Sequence, residues 1–185
     1  PLVFADKERI LSGGNFHAEP IAFCLDFMAI GLAELASISE RRIFRMLDSK
    51  LSGLNAFLAK KPGLHSGFML GQTTAAALVS HNKTLCHPAS VDSIPTSADQ
   101  EDHVSMSMNA ALKALEVLEN TKYVLAIEML CACQALDLLA PLKSSSYLER
   151  VKRRIRKQVP FVTRDRTLTP LIERIKKLID RETIA

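Results

Sequence analysis

The sequence contains no tryptophan, and only 7 glycines and 8 prolines punctuate its 185 residues. So few turn-formers argue against a fold of many short strands, and abundant Ala and Leu favour helices. The first residues lack a basic start followed by an apolar run, so no secretory signal is expected. Asp26, Glu34, Glu128 and Asp137 interrupt the longest apolar segments. No uninterrupted run reaches the roughly 18 residues of a transmembrane helix, and no membrane partner is expected. The four cysteines are Cys24, Cys86, Cys131 and Cys133. Cys131 and Cys133 point in different directions on a helix, and no second pair has ligand spacing. They read as reduced thiols of a cytoplasmic protein, with no metal site.

Formal net charge is +4, and the excess gathers near the end, from Lys152 to Lys177. Glu149, Asp165, Glu173 and Asp180 are interleaved with it. That mixture reads as solvated helix faces, not as a nucleic-acid surface. The chain starts at Pro1 without a methionine. It is therefore expected to be a processed chain or one piece of a larger molecule, with any site only partly present.

Residues 1–19 read as a loop with a short extended start, because Ser12, Gly13, Gly14 and Asn15 signal a turn. Pro20 suits the first turn of a helix over 20–48. Its apolar residues run nearly all round, which predicts a helix buried between others. A second helix is expected over 65–82, with Gly67, Gly71 and Ala75 forming a stripe of small residues. Pro88 and Pro95 mark a loop over 83–99. Ser97 and Gln100 then have the spacing of a capping box. No Gly or Pro follows until Pro141, so the spacing predicts one helix over 100–140. At about 1.5 Å per residue it would span roughly 60 Å, too long for a small local core. Such a helix belongs in a bundle completed by other chains. Two amphipathic helices with basic faces are expected in 144–185, opened by Ser146 with Glu149 and by Thr169 with Pro170.

Common catalytic signatures are missing: there is no G-x-S-x-G, phosphate-binding Gly-rich loop or H-E-x-x-H. Two polar clusters stand out instead. One runs Gly13-Gly14-Asn15-Phe16-His17-Ala18-Glu19-Pro20. The other runs from Pro95 to Met106 and contains Gln100-Glu101-Asp102-His103. Both lie at expected loop-to-helix junctions, where free N–H groups and the helix dipole favour anions.

These clusters resemble the histidine ammonia-lyases of the aromatic amino acid lyase family. P-L-V-F at 1–4, S-G-G-N-F-H-A-E-P at 12–20, S-E-R-R at 39–42 and the run at 82–106 carry the resemblance. His65 stands in place of Asn in N-S-G-F-M, and L-A-I-E at 125–128 and A-C-Q-A-L-D-L at 132–138 complete it. It covers roughly residues 1–140, in order.

The resemblance implies a mostly α-helical long-helix bundle of the lyase and fumarase-aspartase type, incomplete in this chain. Residues 1–143 would be the C-terminal part of its core, and 144–185 the final amphipathic helices. The implied reaction releases ammonia from L-histidine to give trans-urocanate, as in histidine catabolism. The implied cofactor is 4-methylidene-imidazole-5-one, formed from an internal Ala-Ser-Gly that this chain lacks. A partner carrying the N-terminal part of the same enzyme is therefore expected, in a homotetramer of complete protomers. By resemblance Phe16 lies near cofactor and substrate, and Glu101 near the imidazole and amine. A carboxylate there can pair with ammonium or accept an imidazole proton. Asn15, His17, Gln100 and His103 are expected to anchor the loops around them. The alternative is a non-catalytic assembly or regulatory subunit with the lyase fold.

Overall fold

A computed structural model describes residues 2–13 and 17–181. The extended start is paired: β1 (Leu2–Phe4) and β2 (Arg9–Leu11) form an antiparallel hairpin with Val3 opposite Ile10. Its side chains are exposed on both strands.

The frame is a pair of long helices, α1 (Glu19–Leu47) and α4 (Ser107–Leu138). Ala22, Asp26, Ala29, Ala36, Ile43 and Leu47 make the buried seam of α1. Their spacing of three, four or seven keeps them on one face. Ala110, Ala114, Val117, Thr121 and Val124 make the facing seam of α4. Small residues on both seams allow the backbones to approach closely.

The expectation of a helix over 20–48 buried on every side needs correction. Phe27 is 79% exposed, Ile21 58% and Phe23 55%, because α4 covers one face and the described residues supply nothing for the other. By length and composition alone α1 also meets the requirements of a membrane span. Its seam, however, carries Asp26, Ser39 and Glu40, all buried and hydrogen-bonded within the chain. Such polarity suits a helix packed among protein elements.

A single turn, α2 (Ser49–Ser52), follows, capped by Asp48. The helix expected over 65–82 is α3 (Met69–Leu85). It starts late because Asp165 accepts the N–H groups of Ser66 and Gly67 at 2.9 Å each, holding them in a turn. Gly67 precedes the helix with φ +54°, and a Cβ there would collide with the Phe57 carbonyl. The small-residue stripe is thus reduced to Gly71 and Ala75, both buried.

The expected capping box at Ser97 and Gln100 does not form, and the helix expected over 100–140 begins only at Ser107. Ser97, Ala98 and Asp99 all have positive φ. They make a tight turn in which Thr96 and Glu101 exchange backbone hydrogen bonds of 3.1 and 3.3 Å. The loop expected over 83–99 therefore extends over 86–106. With 32 residues, α4 is about 48 Å long.

Two amphipathic helices close the bundle, α5 (Ser146–Gln158) and α6 (Thr169–Asp180). The α5 box sits one residue earlier than expected: Ser145 Oγ accepts from Leu148, and Glu149 from the N–H of Ser144. Thr169 lies inside the first turn of α6, with Leu168 at the cap position. Ile155, Val159, Val162, Leu171, Ile172 and Ile175 join Ile43, Leu58, Phe68, Ile127 and Leu130 in one core. Each fully buried aliphatic side chain there contributes about 1.5–3 kcal/mol. Gln134, fully buried at its centre, donates to the Val162 carbonyl at 2.8 Å and accepts from the Val162 N–H at 3.1 Å. This pair fastens the segment before α6 to α4.

Candidate active site

The two polar clusters, far apart in sequence, meet where α1 and α4 begin. His17 Nε2 lies 2.6 Å from Glu101 Oε2 across 84 residues. Both side chains are about one-third exposed, at 34% and 35%. Ser105 Oγ donates to the His17 carbonyl and accepts from the Ser107 N–H. One hydroxyl thus ties the entry of α1 to the first turn of α4. Ala18 enters α1 in the left-handed region, with φ +60°, and its carbonyl accepts from Ile21 and Ala22. His103 Nε2 lies 3.8 Å from Glu19 Oε2, an ion-pair separation if the imidazole is protonated.

Beneath this junction the loop over 86–106 is fastened to both long helices. Asp26 accepts from the Ser90 N–H at 2.8 Å, with Lys113 Nζ 3.8 Å from its other oxygen. Lys113 also donates to the His87 carbonyl. Burial works to raise the Asp26 carboxyl, but donors from Ser90 and Ala89 and the charge of Lys113 outweigh it and hold it low. Val104 donates to Ser93 Oγ at 3.0 Å, closing the loop on itself. These anchors over-determine a segment whose positive-φ turn places Glu101, in keeping with strain held at a functional site.

Sequence reasoning singled out Glu101, His17 and His103, and the structure brings these together with Glu19. Gln100 is exposed on the turn, and its side chain makes no hydrogen bond among the described residues; its N–H is given to Ser97. Asn15 and Phe16 lie outside the described residues. Ser105, Asp26 and Lys113 were missed as supports. Asp26 offered a signal, since a carboxylate inside an apolar helix requires donors from elsewhere. Glu128 accepts Arg42 through both oxygens and Ser39 at 2.5 Å, locking α1 to α4 at mid-length.

A cleft of about 790 Å³ lies elsewhere, between α3, α4 and α6. Tyr123, Ile127, Leu168 and Ile172 line it, and it shares no residue with the Glu101 junction. Volume and chemistry therefore point to different places, and the converging titratable groups favour the junction. Among the described residues no three His, Cys, Asp or Glu side chains converge as metal ligands. Cys131 and Cys133 are buried, and burial pushes both thiols up, away from reactivity.

A family profile for aromatic amino acid lyases matches residues 1–157. The chain belongs to the aromatic amino acid lyase family. A histidine ammonia-lyase of Anaeromyxobacter sp. (strain K) is 55% identical over 180 residues, covering 97% of this chain and 35% of the relative. Histidine ammonia-lyase from Trypanosoma cruzi superposes with a TM-score of 0.93 at 51% identity, covering 100% of this chain and 36% of that one. Tyrosine aminomutase from Streptomyces globisporus reaches 0.90 at 39% identity, covering 96% and 34%. This lyase chain spans about a third of the length of the curated relatives it matches. The sequence holds no Ala-Ser-Gly.

Proposed function

We propose that this chain is the C-terminal part of a histidine ammonia-lyase, active when combined with the N-terminal part of the same enzyme. The observation carrying the reading is the 2.6 Å contact between His17 and Glu101, which gathers both clusters of the family resemblance into one junction. The greater identity to histidine ammonia-lyases than to tyrosine aminomutase, 55% and 51% against 39%, supports histidine as substrate.

In the proposed reaction the Cα–N bond of L-histidine breaks, a proton leaves Cβ, and a Cα=Cβ double bond forms. The products are trans-urocanate and ammonia. The 4-methylidene-imidazole-5-one group, formed from Ala-Ser-Gly in the N-terminal part, supplies the electrophile. Glu101 accepts a hydrogen bond from the substrate's imidazole N–H or ammonium group. By the family resemblance Phe16 is assigned to substrate binding. His103, 3.8 Å from Glu19, links the two loops around them. The exposed apolar face of α1, with Phe23 and Phe27, supports burial by the rest of the enzyme; the proposed whole is a cytoplasmic tetramer of complete protomers.

The test is ammonia and urocanate release by the complete enzyme, together with the denatured mass of each polypeptide. Release from histidine in preference to tyrosine and phenylalanine is expected. The N-terminal part should be lighter than its sequence by two waters, lost in forming the cofactor. Preferential isomerisation of tyrosine would contradict the substrate reading. An unmodified mass with no turnover would leave a non-catalytic assembly subunit.

A further inference from the structure

We propose that His17 is a positioning residue for the elimination: its Nε2–H holds one oxygen of the Glu101 carboxylate and so aims the other at substrate. The inference rests on the lyase reading above and assigns a specific task to a residue otherwise counted as a loop anchor.

The geometry carries it. A carboxylate only accepts, so the 2.6 Å contact makes Nε2 the donor and Oε2 the acceptor. Glu101 stands on a loop and is one-third exposed, so an unheld side chain would sample several rotamers. His17 is itself fixed from two sides. Ser105 Oγ holds its carbonyl, and the next residue, Ala18, already caps α1 in the left-handed region. The ring therefore stands at the entry of the long helix, and the carboxylate it grips stands on the loop. A carboxylate with one oxygen engaged presents the second in a fixed direction, which is what orientation of a substrate N–H requires. A simple loop staple would not need an ionisable partner, since Ser105 already joins the same two segments.

The test compares His17→Leu, His17→Gln and Glu101→Gln, alone and combined, in the complete enzyme. His17→Leu should lower kcat about tenfold to a hundredfold, the range set by a charge-assisted hydrogen bond. KM should move by less than about threefold, since positioning acts in the transition state. His17→Gln, whose amide nitrogen replaces Nε2, should restore kcat to within about fivefold of wild type. In the Glu101→Gln background His17→Leu should add less than about twofold, because both changes remove one function. A separate readout needs no turnover: the His17 ring Nε2–H resonance should be protected from exchange and should shift in Glu101→Gln.

Full kcat in His17→Leu, failure of Gln to restore it, or multiplicative losses in the double variant would overturn the proposal. So would an Nε2–H resonance indifferent to Glu101. A wild-type enzyme that releases no ammonia from histidine but shows the Glu101-dependent resonance would instead refute the substrate reading and leave the His17–Glu101 linkage standing.

Discussion

The two ends of α4 hold polar side chains in opposite ways. Toward the C-terminal end, Gln134 is fully buried and spends its amide on backbone groups of Leu58 and Val162. Before the N-terminal end, Glu101 and His17 stay one-third exposed and bind each other. A buried amide with backbone partners fixes architecture, because each group it satisfies would otherwise be orphaned in the core. A one-third-exposed acid with an imidazole partner keeps access to solvent and solutes, and so keeps chemistry. Stability should therefore concentrate at one end and activity at the other.

The comparison is broken most severely by Gln134→Leu. It leaves buried backbone groups of Leu58 and Val162 without partners, at about 1–3 kcal/mol each. A total loss of about 3–5 kcal/mol is expected in denaturant unfolding of the complete enzyme, with kcat of the folded fraction retained. Gly67→Ala comes next, at about 2–3 kcal/mol, since alanine must take φ +54° against the Phe57 carbonyl. Glu128→Gln weakens the two-pronged grip on Arg42 and the bond from buried Ser39. It should cost about 1–2 kcal/mol, less than a wholly buried pair because Arg42 is exposed.

Asp26 sharpens the comparison by pH. Its carboxyl is held low in the folded chain, so its contribution is complete above the unfolded value of about 3.9. That contribution is lost as pH falls through the lower folded value. The stability gap between wild type and Asp26→Asn should hold at neutral pH and narrow below about pH 4. A gap that widened with acid would refute the sign. The smallest effect is expected from Lys176→Met, whose partners Glu119 and Asp180 are more than one-third exposed, at 38% and 34%. It should change stability by less than about 1 kcal/mol, and less still at high salt.

Much of this was legible in the residues. That long helices fill most of 20–48 and of 100–140 followed from Pro20 and from the lack of Gly and Pro up to Pro141, signals that act locally. The pairing of His17 with Glu101 was expected only as proximity to a common site, since nothing local encodes a contact across 84 residues. The start of α4 was misread for a physical reason. Ser97 and Gln100 have capping-box spacing, but the Thr96–Glu101 bridge and the Ser105 hydroxyl satisfy those backbone groups another way. Gly67 looked like part of a helical stripe, whereas Asp165, 98 residues further on, holds it in a turn. Gly and Asp signals of that kind read correctly only once the partner is known. The burial of α1 was over-read because amphipathic analysis reports what a helix can bury, not which chain does the burying.

The most direct measurement pairs unfolding with turnover in Glu101→Gln of the complete enzyme. The account predicts an unchanged midpoint in denaturant and a fall in kcat on histidine of about 10²–10⁴, the span of general acid–base catalysis. A kcat near wild type, or a loss explained by unfolding, would contradict the claim that the junction of α1 and α4 is where the chemistry lies.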